Sequence, residues 1–218
     1  MSIESQPKPF IPHPRKLYAS LIGILGGLFV FYQTILLVSR RALFPDLAEA
    51  FHVSMSDLQL ISTGYFYACL LSFIPAGILI DKYGIRHPNS LAIIICAIGA
   101  LIFGLSPNVT VSFYSRILIG IGGCFSVLTV LKLSLEWFSP LYFASLNGLV
   151  MSFGMAGALF GETPFNSIFN FFTWRITFLD LALFGFILGI LYWIFVRDPS
   201  TFENIKLPSQ SPPFKKTF

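Results

Sequence analysis

Six runs of about twenty apolar residues, parted by short polar connectors, leave this 218-residue chain very few ways to fold. They fall at about 17–38, 58–80, 89–106, 113–135, 142–161 and 175–196. Each is close to the length that crosses the hydrocarbon of a bilayer. In lipid every backbone N–H and C=O must pair within the protein, and an open strand leaves them unpaired, so the runs are read as helices. The expected fold class is all-α and integral to the membrane. Composition agrees, with 55% of residues hydrophobic and 11% charged, against about 25% charged in soluble domains. A soluble enzyme is excluded on that ground.

The charges sit mostly in tails and turns. With six crossings, Lys8, Arg15, Lys16, Lys82, Arg86, Arg197, Lys206, Lys215 and Lys216 share one face, while Arg40, Arg41 and Arg175 fall on the other, with Arg116 near it. Basic residues gather on the cytoplasmic side, so both termini are expected there. The net charge of +4 then reads as membrane orientation, not as nucleic-acid binding. Residues 1–16 form a polar tail, 17–198 the membrane domain, and 199–218 a Pro-rich tail or the start of a linker. Cys69, Cys96 and Cys124 lie in separate apolar runs and suggest neither a disulfide framework nor a metal site. His13, His52 and His87 stand in tails or connectors, which leaves no intramembrane Ser–His pair for a protease. No cofactor motif is present, and no enzyme activity is expected.

The densest polar stretch joins the second and third spans. Asp81, Lys82, Gly84, Arg86 and His87 are crowded into one short turn. At the centre of a bilayer each acid or base costs roughly 2.5–3.5 kcal/mol, so the turn must lie at a membrane face. The pattern Gly77-x-x-x-Asp81-Lys82-x-Gly84-x-Arg86 resembles the signature loop between helices 2 and 3 of the major facilitator superfamily of transporters. That family usually has a further base where Ile85 stands here, and often another at His87. In the fourth span, Arg116-x-x-x-Gly120-x-Gly122 resembles a second signature of the same family. Phe31-Tyr32-Gln33, Trp137-Phe138-Ser139-Pro140 and Trp174-Arg175-Ile176-Thr177-Phe178 are similar to stretches of its bacterial metabolite permeases, so the resemblance covers about residues 17–199.

The resemblance implies roles for particular residues. Gly77, Asp81, Lys82, Gly84 and Arg86 would form a conformational latch. Glu136, at the end of the fourth span, would contact Lys82 or Arg86. Arg116 would line the central path and assist proton or substrate coupling. Tyr32 and Gln33 are polar within the first span and are placed on that path. Asp180 in the sixth is a candidate proton site, although pairing with a base or capping is also open. Residues of the second span such as Ser62, Thr63, Tyr65 and Tyr67 are read as interhelical hydrogen-bonding or interfacial groups. Lys132 and Glu136 stand four apart and can pair. Gly120 and Gly123 share a helix face, and Gly154, Gly157 and Gly161 form a smooth stripe that suits close helix packing.

Together these readings point to a six-helix bundle like the N-terminal half of the usual twelve. It would belong to a secondary transporter of a small polar metabolite, expected to couple to protons, in a bacterial inner membrane. Its partners would be the lipid bilayer, a small-molecule substrate, and either a second six-helix half or another copy of itself, with no nucleic acid. The alternative is a truncated or non-transporting membrane protein of the same ancestry. Substrate and symport or antiport are not specified by any motif.

Overall fold

The computed structural model describes residues 13–42, 44–137, 143–162 and 174–196. These form seven helices: α1 His13–Ala42, α2 Phe44–Phe51, α3 Met55–Tyr83, α4 Arg86–Gly104, α5 Val109–Trp137, α6 Phe143–Glu162 and α7 Trp174–Phe195. No strand occurs among the described residues. Six of the helices contain spans long and apolar enough to cross a membrane: Ser20–Ser39, Ile61–Tyr83, Arg86–Gly104, Val109–Ser134, Ala144–Glu162 and Trp174–Phe195. They coincide with the six apolar runs of the sequence.

Helix ends depart from the hydropathy pattern. The first helix starts at His13, four residues inside the expected tail, because polar residues extend a helix as readily as apolar ones once it leaves the lipid. Ser54 stands immediately before α3, and its carbonyl accepts from the Leu58 N–H at 3.3 Å. Ser56 is already inside it. The connector read between the first two spans holds an unforeseen helix, α2. It is two turns long and seats Leu47 in the core and Phe51 edge-on to Trp174 at 5.6 Å. It ends at His52, whose φ of 52° is left-handed, with the Val53 N–H bonded back to the Ala48 carbonyl.

The bundle is built round α5. Three glycines let neighbours close on it from three sides. A Cβ on Gly120 would stand 2.5 Å from the Tyr65 carbonyl of α3; one on Gly122 would collide with the Ala92 carbonyl of α4; and one on Gly123 with the Gln33 amide of α1. Two further pairs flank this centre. Helix α6 lies on α1, where Gly157 faces the Phe31 carbonyl and Gly154 and Gly161 face Val30 and Ile35. Helix α7 lies on α4. Burial follows from this plan: 61% of each span is buried in α4 and α5, against 28% in α3 and 22% in α6. Leu70, Leu71, Ile74 and Ile78 of α3 and Leu149, Met151, Met155 and Leu159 of α6 are all exposed.

Candidate functional site

Two polar centres lie in the bundle, one at mid-span and towards the α1 end, the other at the face carrying the α3–α4 turn. The first is built on Arg116 and Gln33. Arg116 occupies the second turn of α5 and is 1% exposed. Its Nη1 donates to the Leu36 carbonyl of α1 at 2.7 Å. Its guanidinium lies over the Phe103 ring at 4.3 Å and the Phe178 ring at 5.1 Å. Aromatic faces and a carbonyl oxygen are among the few groups that accept a cation out of water. One helical turn earlier on α1, Gln33 donates through Nε2 to the Tyr65 hydroxyl at 2.5 Å. The Cys96 thiol of α4 lies 3.8 Å from the Gln33 Oε1. Four helices therefore meet at this amide, and Gly123 makes the room for it.

The structure separates the other two residues placed on the path from this centre. Tyr32, adjacent in sequence to Gln33, points about 100° away round the helix. Its ring is fully buried and tilts against Phe184, and its hydroxyl abuts Gly185 of α7. Asp180 stands on the exposed side of α7, in line with Leu183 and Ile187.

At the turn face, Gly84 takes a φ of 77°, which glycine adopts without steric cost, and so reverses the chain between α3 and α4. Asp81 is paired with Lys132 of α5, at 3.0 Å. The same ammonium donates to the Ile80 carbonyl at 2.7 Å. Ile85, where the family's further base was expected, is 1% exposed and belongs to the core. The positive charge beside Asp81 thus arrives from another helix. Lys82 lies exposed over the Tyr83 ring. Arg86 turns the other way and donates from Nε to the Trp193 carbonyl of α7 at 3.0 Å. Gly77 lies on α3 one turn before Asp81, with no heavy atom within 4 Å of where its Cβ would be. Glu136 belongs to the last turn of α5, but its side chain lies outside the described residues, as does the expected contact with Lys82 or Arg86.

Beneath this turn runs a buried polar chain that the sequence did not single out. Asn89 donates to the Tyr192 hydroxyl at 3.1 Å and accepts from Thr129 at 2.6 Å. It joins α4, α5 and α7, and all three residues are fully buried. A second omission is Gly185-x-x-x-Gly189 in α7, a small-residue motif at helical spacing that was visible in the sequence. Lys132 was also unassigned to the turn; fifty-one positions from Asp81, it carries no local signal.

Comparison with known proteins gives a consistent answer. The model of the Major Facilitator Superfamily matches residues 19–217. The chain is 22% identical over 204 residues to the uncharacterized transporter YybO of Bacillus subtilis, covering 93% of this chain and 46% of that protein. It is 29% identical over 192 residues to the uncharacterized MFS-type transporter YhcA of the same organism, covering 86% of this chain and 35% of that one. Among solved structures, a bacterial homolog of the human lysosomal transporter Spinster, inward-facing and unoccupied, superposes with a TM-score of 0.75 at 17% identity. That match covers 84% of this chain and 44% of the other. The chain spans less than half the length of these relatives.

Proposed function

The chain belongs to the Major Facilitator Superfamily of membrane transporters, and from that membership we propose that it forms one six-helix wall of a proton-coupled carrier for a small polar metabolite. The second wall is another six-helix bundle, supplied by further sequence, a separate chain or a second copy. The observation that carries this reading is the contrast between α5, buried on three sides, and α3 and α6, whose apolar faces stay bare. A bundle close-packed at its own centre has its substrate path alongside it, between α3 and α6 and whatever covers them. Gln33 reaches towards that surface through Tyr65 of α3, while Arg116 lies among α1, α4 and α7. In this reading Arg116 sets the tilt of α1 and the local field, while Asp81 and Lys132 latch the turn face. The excess of basic residues on that face supports cytoplasmic termini, and the relatives from Bacillus subtilis support a bacterial inner membrane.

The test is uptake into proteoliposomes under an imposed proton gradient. The full chain is reconstituted alone and with any co-encoded six-helix partner, against a panel of radiolabelled organic acids, sugars and amino acids. Gradient-dependent uptake that Arg116→Ala abolishes without lowering the amount inserted supports the reading. Absence of uptake in both reconstitutions removes a separate chain and a second copy as the second wall, and absence of uptake by the chain extended with any contiguous further sequence rejects the reading.

A further inference from the structure

Asp180 takes no part in either polar centre, yet it stands inside a membrane-spanning helix. Helix α7 begins at the face away from the α3–α4 turn. There Arg175 donates from Nη1 to the Ser106 carbonyl at 2.8 Å and to the Gly104 carbonyl at 3.4 Å, at the end of α4. Those bonds mark the level at which α7 enters the bilayer. Asp180 follows five residues after Arg175, about 7.5 Å deeper. It stands nine positions before Gly189, which packs on Ile94 of α4, and so points about 180° away from that helix. It is exposed, and so are its neighbours on the outward face, Ile176, Leu183, Phe184 and Ile187.

A carboxylate at that depth, among aliphatic side chains, needs a cation. Among the described residues Asp180 forms no hydrogen bond or ion pair. Arg175 lies over the Trp174 ring at 4.4 Å while it holds the α4 carbonyls. Arg116 is buried, with the Phe178 ring against it. Residues 163–173, which lead into α7, contain no Lys, Arg or His. A helical side chain leans toward the start of its own helix, so this carboxylate is turned up toward the headgroups.

Two kinds of occupant carry a cation: a basic side chain on another helix, or an ammonium headgroup. Helices associate in lipid through small residues that let backbones approach. Helix α7 turns its small residues inward, Gly185 to Tyr32 of α1 and Gly189 to α4. Its outward face is bulky, and Ile190 and Ile194 continue it. A second copy docked there about a two-fold axis would set Asp180 near its own counterpart. Branched aliphatics beside a single acid suit acyl chains hung from an ammonium headgroup instead.

We propose that the outward face of α7 at Asp180 is a phospholipid site, selective for a headgroup with a primary ammonium. A primary ammonium gives the carboxylate charge-assisted hydrogen bonds. A quaternary one has no N–H to give, and a glycerol headgroup brings no cation. The site needs the bilayer but not transport, so it stands or falls apart from the reading above.

The test titrates the full chain in mild detergent with equal amounts of phosphatidylethanolamine and phosphatidylcholine of the same acyl chains. The lipid retained is read by native mass spectrometry. The wild type holds the ethanolamine lipid roughly tenfold over the choline lipid, the weight of a charge-assisted bond. Asp180→Asn levels the two, and Asp180→Glu keeps the selection. Methylating the headgroup nitrogen step by step lowers retention step by step. Equal retention by the wild type overturns the site, as it would if Arg40 or Arg41 of α1 satisfied the carboxylate. Selection that survives Asp180→Asn overturns it too. So does a dimer, or a complex with another protein, that Asp180→Asn dissolves. Should Asp180→Asn fail to insert, a photoactivatable ethanolamine headgroup decides on the wild type. Crosslinks within 176–187 support the site, and crosslinks elsewhere alone overturn it.

Discussion

At the scale of single residues, the two basic groups of α5 do different work, and burial decides how much. The Asp81–Lys132 pair has its aspartate 81% exposed and its lysine 19% exposed. An ion pair that open to solvent is worth about 0–1 kcal/mol. The bond from Lys132 to the Ile80 carbonyl is part-buried and counts for more. Asp81→Asn should therefore lower the midpoint of thermal unfolding in mild detergent by less than Lys132→Met does. The opposite order would make the carboxylate the main partner. Gly123→Ala places a methyl where the Gln33 amide sits and should cost about 1–3 kcal/mol by overpacking, read from the same melt. A cost near zero would mean that Gln33 swings away freely. The sequence identified Arg116, Gln33 and Gly123 as polar or small positions in an apolar run, which was enough to single them out. It could not pair them, because Leu36, Tyr65 and Lys132 reach their partners across 80, 32 and 51 positions. Nothing in hydropathy encodes such distances.

Elements were legible in proportion to their length. Each spanning helix announces itself by a long apolar run, and the backbone has no alternative in lipid. Helix α2 did not, because its eight residues are too few to show a run and its apolar positions, Leu47 and Phe51, read singly as loop residues. Its end carries a testable strain. His52 holds a φ of 52°, and a side chain in that region costs roughly 1–2 kcal/mol relative to the usual conformations. His52→Gly should raise the unfolding midpoint by a few degrees, and a fall would mean that the imidazole itself is needed. The glycine stripe of α6 was read as a packing groove, and Gly154, Gly157 and Gly161 do lie on α1. Gly157→Leu, set against the Phe31 carbonyl, should part α1 from α6. A disulfide between cysteines introduced at Gly27 and Phe153, which touch across that pair, should then form more slowly, and unchanged trapping would show that the pair tolerates separation.

The whole molecule presents two unlike surfaces. Helices α1, α4 and α5 are largely interior, and α3 and α6 turn long apolar faces outward. Lipid satisfies such faces as well as protein does, so exposure alone does not choose between them. The fold class was legible because membrane burial inverts the usual surface rule; what covers α3 and α6 was not, because the same apolar residues suit both neighbours. The proposed second wall predicts a particle larger than one chain. Multi-angle light scattering in mild detergent should give the mass of two six-helix bundles where a second copy or a co-encoded partner supplies the wall, and a strict 24.3 kDa monomer in both cases would remove those two sources. Orientation is open to a direct check as well. An impermeant amine reagent should label exposed Lys82 in inside-out vesicles and not in intact cells.

Three neighbours touch α5 through glycine, and this bears on how the protein is made. Helices α1, α3 and α4 all leave the ribosome before the one they surround. In the finished bundle Gln33 and Tyr65 hold each other in the room that Gly123 leaves, so the site between the first two spans is complete only with the fourth in place. Synthesis order and spatial order therefore run against each other here.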